Sequence, residues 1–122
     1  MPGTCLVVDD SRIVRKVARR ILEAEGFTVS EAADGREALA TCRQGLPDCV
    51  LLDWNMPVMN GLEFLKALRG EFGPERPPVV FCTAENEISY IERAIANGAQ
   101  EFIMKPFDAE ILLGKFAQVG LL

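Results

Sequence analysis

Short apolar runs alternate with segments of helical periodicity five times along the chain, and this alternation constrains the fold more than any other feature. The apolar runs, such as residues 49–52, have the length of buried strands. The intervening segments place apolar residues on one helical face, as at Leu62, Leu65 and Leu68. A repeat of this kind predicts an α/β fold: a five-stranded parallel sheet with helices on both faces.

The expected boundaries follow from turn and capping residues. The predicted strands cover residues 5–8, 27–32, 48–53, 78–82 and 100–104, and the predicted helices cover residues 12–25, 36–43, 61–69, 87–97 and 108–119. Ser11 and Asp108 are suited to N-caps, while Gly26 and Gly98 are suited to ending helices. Because no linker or change of composition interrupts the pattern, residues 1–122 are expected to form a single domain.

Composition excludes several classes of protein. The net charge of −5 argues against nucleic acid as the main partner. The longest apolar runs have four residues, far short of a membrane span, and the first residues lack the features of a secretion signal. The chain contains no histidine, which excludes histidine-based zinc sites, Ser-His-Asp triads and a phosphohistidine of its own.

The four cysteines are predicted to be reduced core thiols. No CxxC pair occurs among Cys5, Cys42, Cys49 and Cys82, and three of the four lie in apolar runs. Free cysteine in such a setting behaves as a small hydrophobic residue. This usage is typical of a cytoplasmic protein.

Polar side chains gather where the predicted strands end. Asp9 and Asp10 follow the first strand, Asp53 ends the third, Thr83 follows the fourth and Lys105 follows the fifth. Each of these residues alone is typical of a helix cap or a turn. Because ligands of open parallel sheets bind at the carboxyl ends of the strands, their joint occurrence there predicts a site.

The chemistry of that site follows from its charges. Crowded carboxylates repel one another unless a cation joins them, and an all-oxygen ligand set favours Mg²⁺. A lysine and a hydroxyl can bind further phosphate oxygens. Asp53 therefore has the features of a carboxylate nucleophile that forms an aspartyl phosphate.

Four motifs, VVDDSR, LLDWNMPVMNG, VFCTAE and IMKPF, resemble those of the receiver domain of bacterial two-component response regulators. They occur in the family's order across nearly the whole chain, whose length resembles CheY-type single-domain regulators. The resemblance implies the sheet order 2-1-3-4-5 and a cis peptide bond before Pro106. It also implies that Asp53 accepts a phosphoryl group from a histidine kinase or a histidine phosphotransfer protein.

The resemblance further implies a Mg²⁺ site and residues that tune the phosphoryl lifetime. Mg²⁺ would be bound by Asp10, Asp53 and the backbone carbonyl of Asn55, with Asp9 acting through a water molecule. Asn55 and Glu85 would orient or hydrogen-bond the water that hydrolyses the phosphoryl group. Their Asn–Glu pairing resembles that of chemotaxis regulators.

The family also provides a switch and an output surface. Lys105 would pair with the phosphoryl group, and Thr83 would move towards it. Phe102 matches the family's aromatic switch position, where phenylalanine lacks the tyrosine hydroxyl. Tyr90 and Ile91, with Phe102 and the last helix, would form the output surface.

Receivers of this type dock the phosphodonor beside the first helix. The residues implied in docking are Ser11, Arg12, Ile13, Val14, Arg15, Val17 and Pro106. Basic side chains on the exposed helix face, at Arg12, Arg15, Lys16, Arg19 and Arg20, would meet acids on the donor, although such a charge run also occurs on ordinary solvated helices.

The expected output is phosphorylation-dependent binding of another protein, with a flagellar motor component, a kinase or an adaptor as the target. With no DNA-binding domain in the sequence, DNA is not an expected partner, and the chain is expected to be a monomer and not a conventional enzyme. Two alternatives remain open. One is a constitutive binding adaptor of the same fold. The other is a Mg²⁺-dependent phosphohydrolase of the haloacid-dehalogenase kind, whose D-x-D motif is here interrupted by Asn55.

Overall fold

The computed structural model describes residues 3–84 and 88–122, in which five strands and five helices alternate. The elements are β1 (Thr4–Val8), α1 (Arg12–Ala24), β2 (Thr28–Ala32), α2 (Gly35–Gln44), β3 (Cys49–Asp53), α3 (Gly61–Phe72), β4 (Val79–Ala84), α4 (Ile88–Ala96), β5 (Glu101–Lys105) and α5 (Ala109–Gln118). The strands pair in parallel in the order β2-β1-β3-β4-β5. The predicted fold class and strand order are therefore confirmed.

The sheet is covered on both faces, which explains why its central strands are almost entirely apolar. All five residues of β3 are buried. One face packs against side chains of α2, α3 and α4, including Leu39, Phe64 and Leu68. The opposite face packs against α1 and α5 through residues such as Leu22 and Phe116. Leu62, Leu65 and Leu68 all point inwards, as the helical periodicity predicts.

Side-chain caps define where most helices begin. Ser11 and Asp108 cap α1 and α5, as predicted, by accepting hydrogen bonds from backbone N–H groups in the first turn. Asp34 caps α2 in the same way. At α3, Asn60 and Glu63 form a reciprocal capping box, which satisfies two backbone donors at once.

Two predicted boundaries end too early. Helix α3 continues through Gly70 to Phe72, because Glu71 pairs with Arg43 of α2 and Phe72 packs against the core. Strand β4 continues to Ala84 because its last residues pair with β5. The remaining predicted ends that fall within the described residues lie within one residue of the observed ones.

Helices α1 and α4 each leave two large apolar side chains exposed. Ile13 and Val17, which the periodicity places on the apolar face of α1, are 77% and 44% exposed because no neighbouring element covers that end of the helix. In α4 the isoleucine stripe is also largely uncovered, with Ile88 and Ile95 exposed. No helix in the described part of the chain is long and apolar enough to cross a lipid bilayer.

Candidate functional site

Three aspartates lie together at one edge of the sheet. Asp9 and Asp10 follow β1, and Asp53 ends β3, which pairs with β1 in a register that brings both strand ends together. One carboxylate oxygen from each lies within 4.8 Å of the others. Asp9 and Asp53 are buried, whereas Asp10 is exposed. The structure thus brings together the acidic residues that the sequence places at strand ends.

Lys105, the last residue of β5, reaches across to two of these acids. Its Nζ donates hydrogen bonds to Asp9 Oδ2 at 2.7 Å and to Asp53 Oδ1 at 3.0 Å. Burial alone lowers the pKa of Lys105, but its hydrogen bond to Asp9 and the charge of Asp53 outweigh burial and raise the pKa. The lysine therefore stays charged and offsets part of the repulsion between the carboxylates.

Asp53 ionises with difficulty. Burial raises its pKa, the charge of Asp9 raises it further, and Lys105 only partly offsets both, so that the pKa is about 6. A buried carboxylate next to another acid is characteristic of functional sites, because such a group becomes more stable when a cation or a substrate arrives.

Asp9 is held on three sides. Its Oδ1 accepts a hydrogen bond from the backbone N–H of Ser11 at 2.9 Å, and its Oδ2 accepts the one from Lys105. The guanidinium of Arg15 donates to the Asp9 backbone carbonyl at 2.7 Å. With both carboxylate oxygens engaged, Asp9 is a fixed charge beside Asp10 and Asp53.

Thr83 and Lys105 approach the acids from adjacent strands. Thr83 lies inside β4, where it is 1% exposed and pairs with Met104 of β5. Its hydroxyl donates to the carbonyl of Ala84 at 3.2 Å. Because β4 lies between β3 and β5, Thr83 lies between the strand ends that carry Asp53 and Lys105.

The loop after β3 returns tightly to the end of β3. The N–H of Gly61, the first residue of α3, donates to the carbonyl of Trp54 at 2.9 Å. A Cβ at this position would lie 2.2 Å from the carbonyl oxygen of Asp53, so only glycine allows α3 to begin there. Within the same loop Val58 has a φ of 69°, an uncommon conformation for a β-branched residue, and Asn55 is exposed.

Trp54, directly after β3, contacts both β4 and α4. Its ring packs edge-on against Phe81 of β4, with centroids 5.4 Å apart. The ring of Tyr90 stacks on it at 4.3 Å, and the guanidinium carbon of Arg93 lies 5.5 Å from its centroid. Sequence reasoning missed this cluster, and the signal available was an aromatic residue directly after Asp53.

The predicted switch and output residues are half-buried and do not form a freely exposed surface. Phe102, Tyr90 and Ile91 all pack against the core cluster beneath α4. The Nζ of Lys115 lies 4.9 Å from the ring centroid of Phe102. Glu85, predicted to tune the phosphoryl lifetime, lies outside the described residues.

An apolar groove adjoins the aspartates, where the docking residues are predicted. It has a volume of about 340 Å³ and is lined by Ile13, Val14, Val17, Lys105, Pro106 and Phe107. The peptide bond before Pro106 is cis, as predicted. Arg12 is also exposed near the start of α1.

The expectation that Arg15 and Arg19 lie on an exposed basic face is wrong. Both donate hydrogen bonds to Glu31 of β2, and so does Lys16. Burial works against ionisation of Glu31, but the bonds from Arg19, Lys16 and Arg15 outweigh it and lower its pKa to about 2. Glu31 was missed because its role depends on how α1 packs over β2, although an acid in a strand facing a basic helix is a usable signal.

The family model of the response regulator receiver domain matches residues 5–117. The chain belongs to the receiver-domain family. Response regulators are proteins of two-component signalling, and the predicted family is thereby confirmed.

Several relatives show how widely the receiver domain is used. The chain is 36% identical to the chemotaxis protein CheY of Pseudomonas aeruginosa, covering 93% of each sequence. It is 37% identical to the phosphate regulon transcriptional regulatory protein PhoB of Rhizobium meliloti, covering 89% of this chain but 48% of that protein. The chain therefore spans about half the length of some relatives and nearly all of others.

Solved structures agree with the fold. The chemotaxis response regulator CheY4 of Vibrio cholerae superimposes with a TM-score of 0.90 at 37% identity, covering 98% of this chain and 99% of that one. The receiver domain of NtrX from Brucella abortus gives a TM-score of 0.84 at 32% identity, covering 95% and 98%. Both likenesses place the site described above on a receiver fold.

Proposed function

We propose that this receiver accepts a phosphoryl group on Asp53 from a phosphohistidine of a histidine kinase or a histidine phosphotransfer protein. The observation that carries the proposal is the cluster in which Lys105 bridges Asp9 and Asp53 beside Asp10. A partly buried acid cluster with a bridging lysine is suited to binding a phosphoryl group and its counterion.

The transfer requires little of the protein beyond position and charge. A carboxylate oxygen of Asp53 forms a bond to phosphorus while the phosphorus–nitrogen bond of the donor breaks. The bonding electron pair leaves with the imidazole nitrogen. Lys105 pairs with the oxygens that carry the developing charge, and Thr83 moves towards the phosphoryl group, its hydroxyl leaving the Ala84 carbonyl to hydrogen-bond to one of them. Hydrolysis restores the Asp53 carboxylate, with water supplying the new oxygen of inorganic phosphate.

The donor set fits Mg²⁺. Carboxylate oxygens are hard ligands, and Asp10 and Asp53 have oxygens that can bind an ion together with the backbone carbonyl of Asn55. Because both Asp9 oxygens already accept hydrogen bonds, Asp9 acts through a water molecule. Bound Mg²⁺ would supply positive charge that neutralises the phosphoryl oxygens.

The signal leaves by contact with another protein. Thr83 and Phe102 convert the charge at Asp53 into a change at the surface that includes Tyr90 and Ile91. Similarity to CheY over nearly its whole length favours a chemotaxis role, with a flagellar motor component as the target, while a kinase or an adaptor has the same requirements. Asn55 and Glu85 set the phosphoryl lifetime.

The chain acts as a monomeric signalling protein of the cytoplasm and not as a conventional enzyme. Four free, buried cysteines support a reducing compartment. The site lies at the molecular surface, at the carboxyl edge of the sheet, where a donor protein can reach it.

Intact-mass spectrometry tests the proposal. Incubation with acetyl phosphate and Mg²⁺ should add one phosphoryl group, and chelation of the metal should prevent the addition. Asp53→Asn should remove the labelling, Asp10→Asn should remove its Mg²⁺ dependence along with most of its rate, and the exposed Glu110→Gln should leave it intact. A chain that is never labelled would be a constitutive binding adaptor of the same fold.

A further inference from the structure

Two side chains of α4 hold the indole of Trp54. Tyr90 stacks on it with centroids 4.3 Å apart and an angle of 15° between the rings. The Arg93 guanidinium carbon lies 5.5 Å from the same ring centroid. Tyr90 and Arg93 are three residues apart and so lie on one face of α4. Stacking and cation–π attraction both act on a single ring.

Helix α4 has few other attachments. Of its nine described residues only Ala94 is fully buried, and Ile88 and Ile95 are 59% and 44% exposed. Tyr90 is half-buried and lies in the first described turn, where no side chain is fully buried. The stack on Trp54 therefore supplies a large share of what fixes the start of α4.

Trp54 itself is fixed to the acceptor strand. It is 5% exposed and packs edge-on against Phe81 of β4. Its carbonyl accepts a hydrogen bond from the backbone N–H of Gly61, and its own peptide unit is bonded directly to Asp53. Trp54 thus connects the backbone at Asp53 to the ring contacts of α4.

We propose that Tyr90 and Arg93 are positioning residues that couple the first turn of α4 to the chemistry at Asp53 through the ring of Trp54. This inference rests on the proposed function and adds a second connection to the one through Thr83 and Phe102. It begins at the residue bonded to the phosphoacceptor and ends in the helix that carries the output surface.

Hydrogen–deuterium exchange of the full chain tests the coupling, with peptides spanning residues 88–96 as the readout and beryllofluoride with Mg²⁺ as the probe. In the wild-type chain the probe should change exchange in α4. Tyr90→Leu removes the stack, and α4 should exchange about three- to tenfold faster without the probe and lose at least about half of its response to it.

Matched variants separate the ring from its neighbours. Tyr90→Phe keeps the ring, so basal exchange and response should match the wild type. Arg93→Gln removes the cation and should produce the same changes as Tyr90→Leu but smaller, about two- to fourfold in basal exchange. Unchanged exchange of the β1 peptide shows that each variant is folded. Fluorine resonance of bound beryllofluoride should show that its affinity for Asp53 changes less than about twofold, because the ligands are retained.

Three results would overturn the inference. The first is a Tyr90→Leu chain whose α4 responds to beryllofluoride as the wild type does, even if its basal exchange is faster, because the stack would then be structural only. The second is a Tyr90→Phe chain that behaves like Tyr90→Leu. In both cases phosphoryl labelling of Asp53 persists and the proposed function stands. The third is a wild-type chain that neither binds the probe nor takes up a phosphoryl group, and then both proposals fail.

Discussion

At the scale of single residues, the charge on Asp53 destabilises the folded chain. Burial and the neighbouring charge of Asp9 raise its pKa from 3.8 to about 6. Between these two values the folded protein binds more protons than the unfolded chain does. The folded chain is therefore most stable with respect to this group below about pH 4, where the carboxyl is neutral. This stability is lost as the pH rises through about 6 and the buried carboxyl must ionise.

Replacing the carboxylate should reverse this loss. In buffer with a metal chelator, Asp53→Asn should raise the free energy of unfolding by about 1–3 kcal/mol at neutral pH, because the amide cannot ionise. The gain should shrink as the pH falls from about 7 to about 4, where the wild-type carboxyl is also neutral. Urea denaturation of both chains at several pH values measures the difference. A gain that stays constant over this range would contradict the assigned pKa.

The sequence predicts which charged residues form the site, but it predicts less well which side chains bond to them. Asp9, Asp53 and Lys105 could be placed together because each follows or ends a strand, and parallel strands end at one edge. The bond between Glu31 and Arg15 was missed, because which basic side chain meets Glu31 depends on how α1 packs over β2. Strand ends are visible in a sequence, whereas helix orientation is not.

At the scale of elements, the start of α3 depends on the absence of a side chain. Gly61→Ala would place a methyl group 2.2 Å from the Asp53 carbonyl oxygen, and either the strand end or the helix must move. We expect a loss of about 3 kcal/mol in the free energy of unfolding, together with slower phosphoryl labelling. Urea denaturation and intact-mass kinetics measure the two effects.

Gly70 provides the matched control in the same helix. A Cβ there would meet nothing within 4 Å, and the residue is exposed. Gly70→Ala should therefore stabilise the chain by about 0.5–1 kcal/mol, since alanine favours the helix, and should leave labelling unchanged. Equal losses at the two positions would show that helix propensity, and not the close approach to Asp53, determines the result.

The elements also show where periodicity is insufficient. The apolar spacing of α1 correctly predicts a helix, but it does not show that Ile13 and Val17 stay uncovered. The end of α3 was misplaced because Gly70 resembles a stop signal, and only the contacts of Glu71 and Phe72 keep the helix going. The spacing of apolar residues predicts whether a segment is a helix or a strand. Which of its residues are covered, and where it ends, depend on the elements that pack against it.

At the scale of the whole molecule, the strand–helix alternation was sufficient for the fold class, and the resemblance of motifs was needed for the strand order. The two faces of the sheet meet different helices, and the exposed groove lies where α1 meets the loop after β5. The groove therefore lies on the side of the sheet that α1 and α5 cover, next to Lys105.

Ile13 is the side chain best placed to test donor docking, because it is 77% exposed and lines the groove. Ile13→Ser should slow phosphoryl transfer from a phosphohistidine donor about tenfold, through loss of apolar contact, while labelling by acetyl phosphate stays unchanged. Transfer kinetics with both donors measure the effect. Ile111→Ser, an exposed change on α5, serves as the control.

Arg15→Glu is a less direct probe of the same surface. Arg15 bonds to Glu31 and to the carbonyl of Asp9, so its loss would disturb the acid cluster itself. If Ile13→Ser slowed both donors equally, the groove would act on the chemistry and not on docking.

The four thiols described above give the chain built-in reporters of its own opening. Cys5, Cys49 and Cys82 lie in the three central strands and Cys42 lies in α2, all at most 2% exposed. Burial raises the pKa of Cys42 to about 11 and that of Cys82 further still, so little reactive thiolate forms while the fold is closed. The rate at which an alkylating reagent modifies each cysteine therefore measures how often its surroundings open. The strand cysteines report on the sheet and Cys42 reports on α2, and no label has to be introduced.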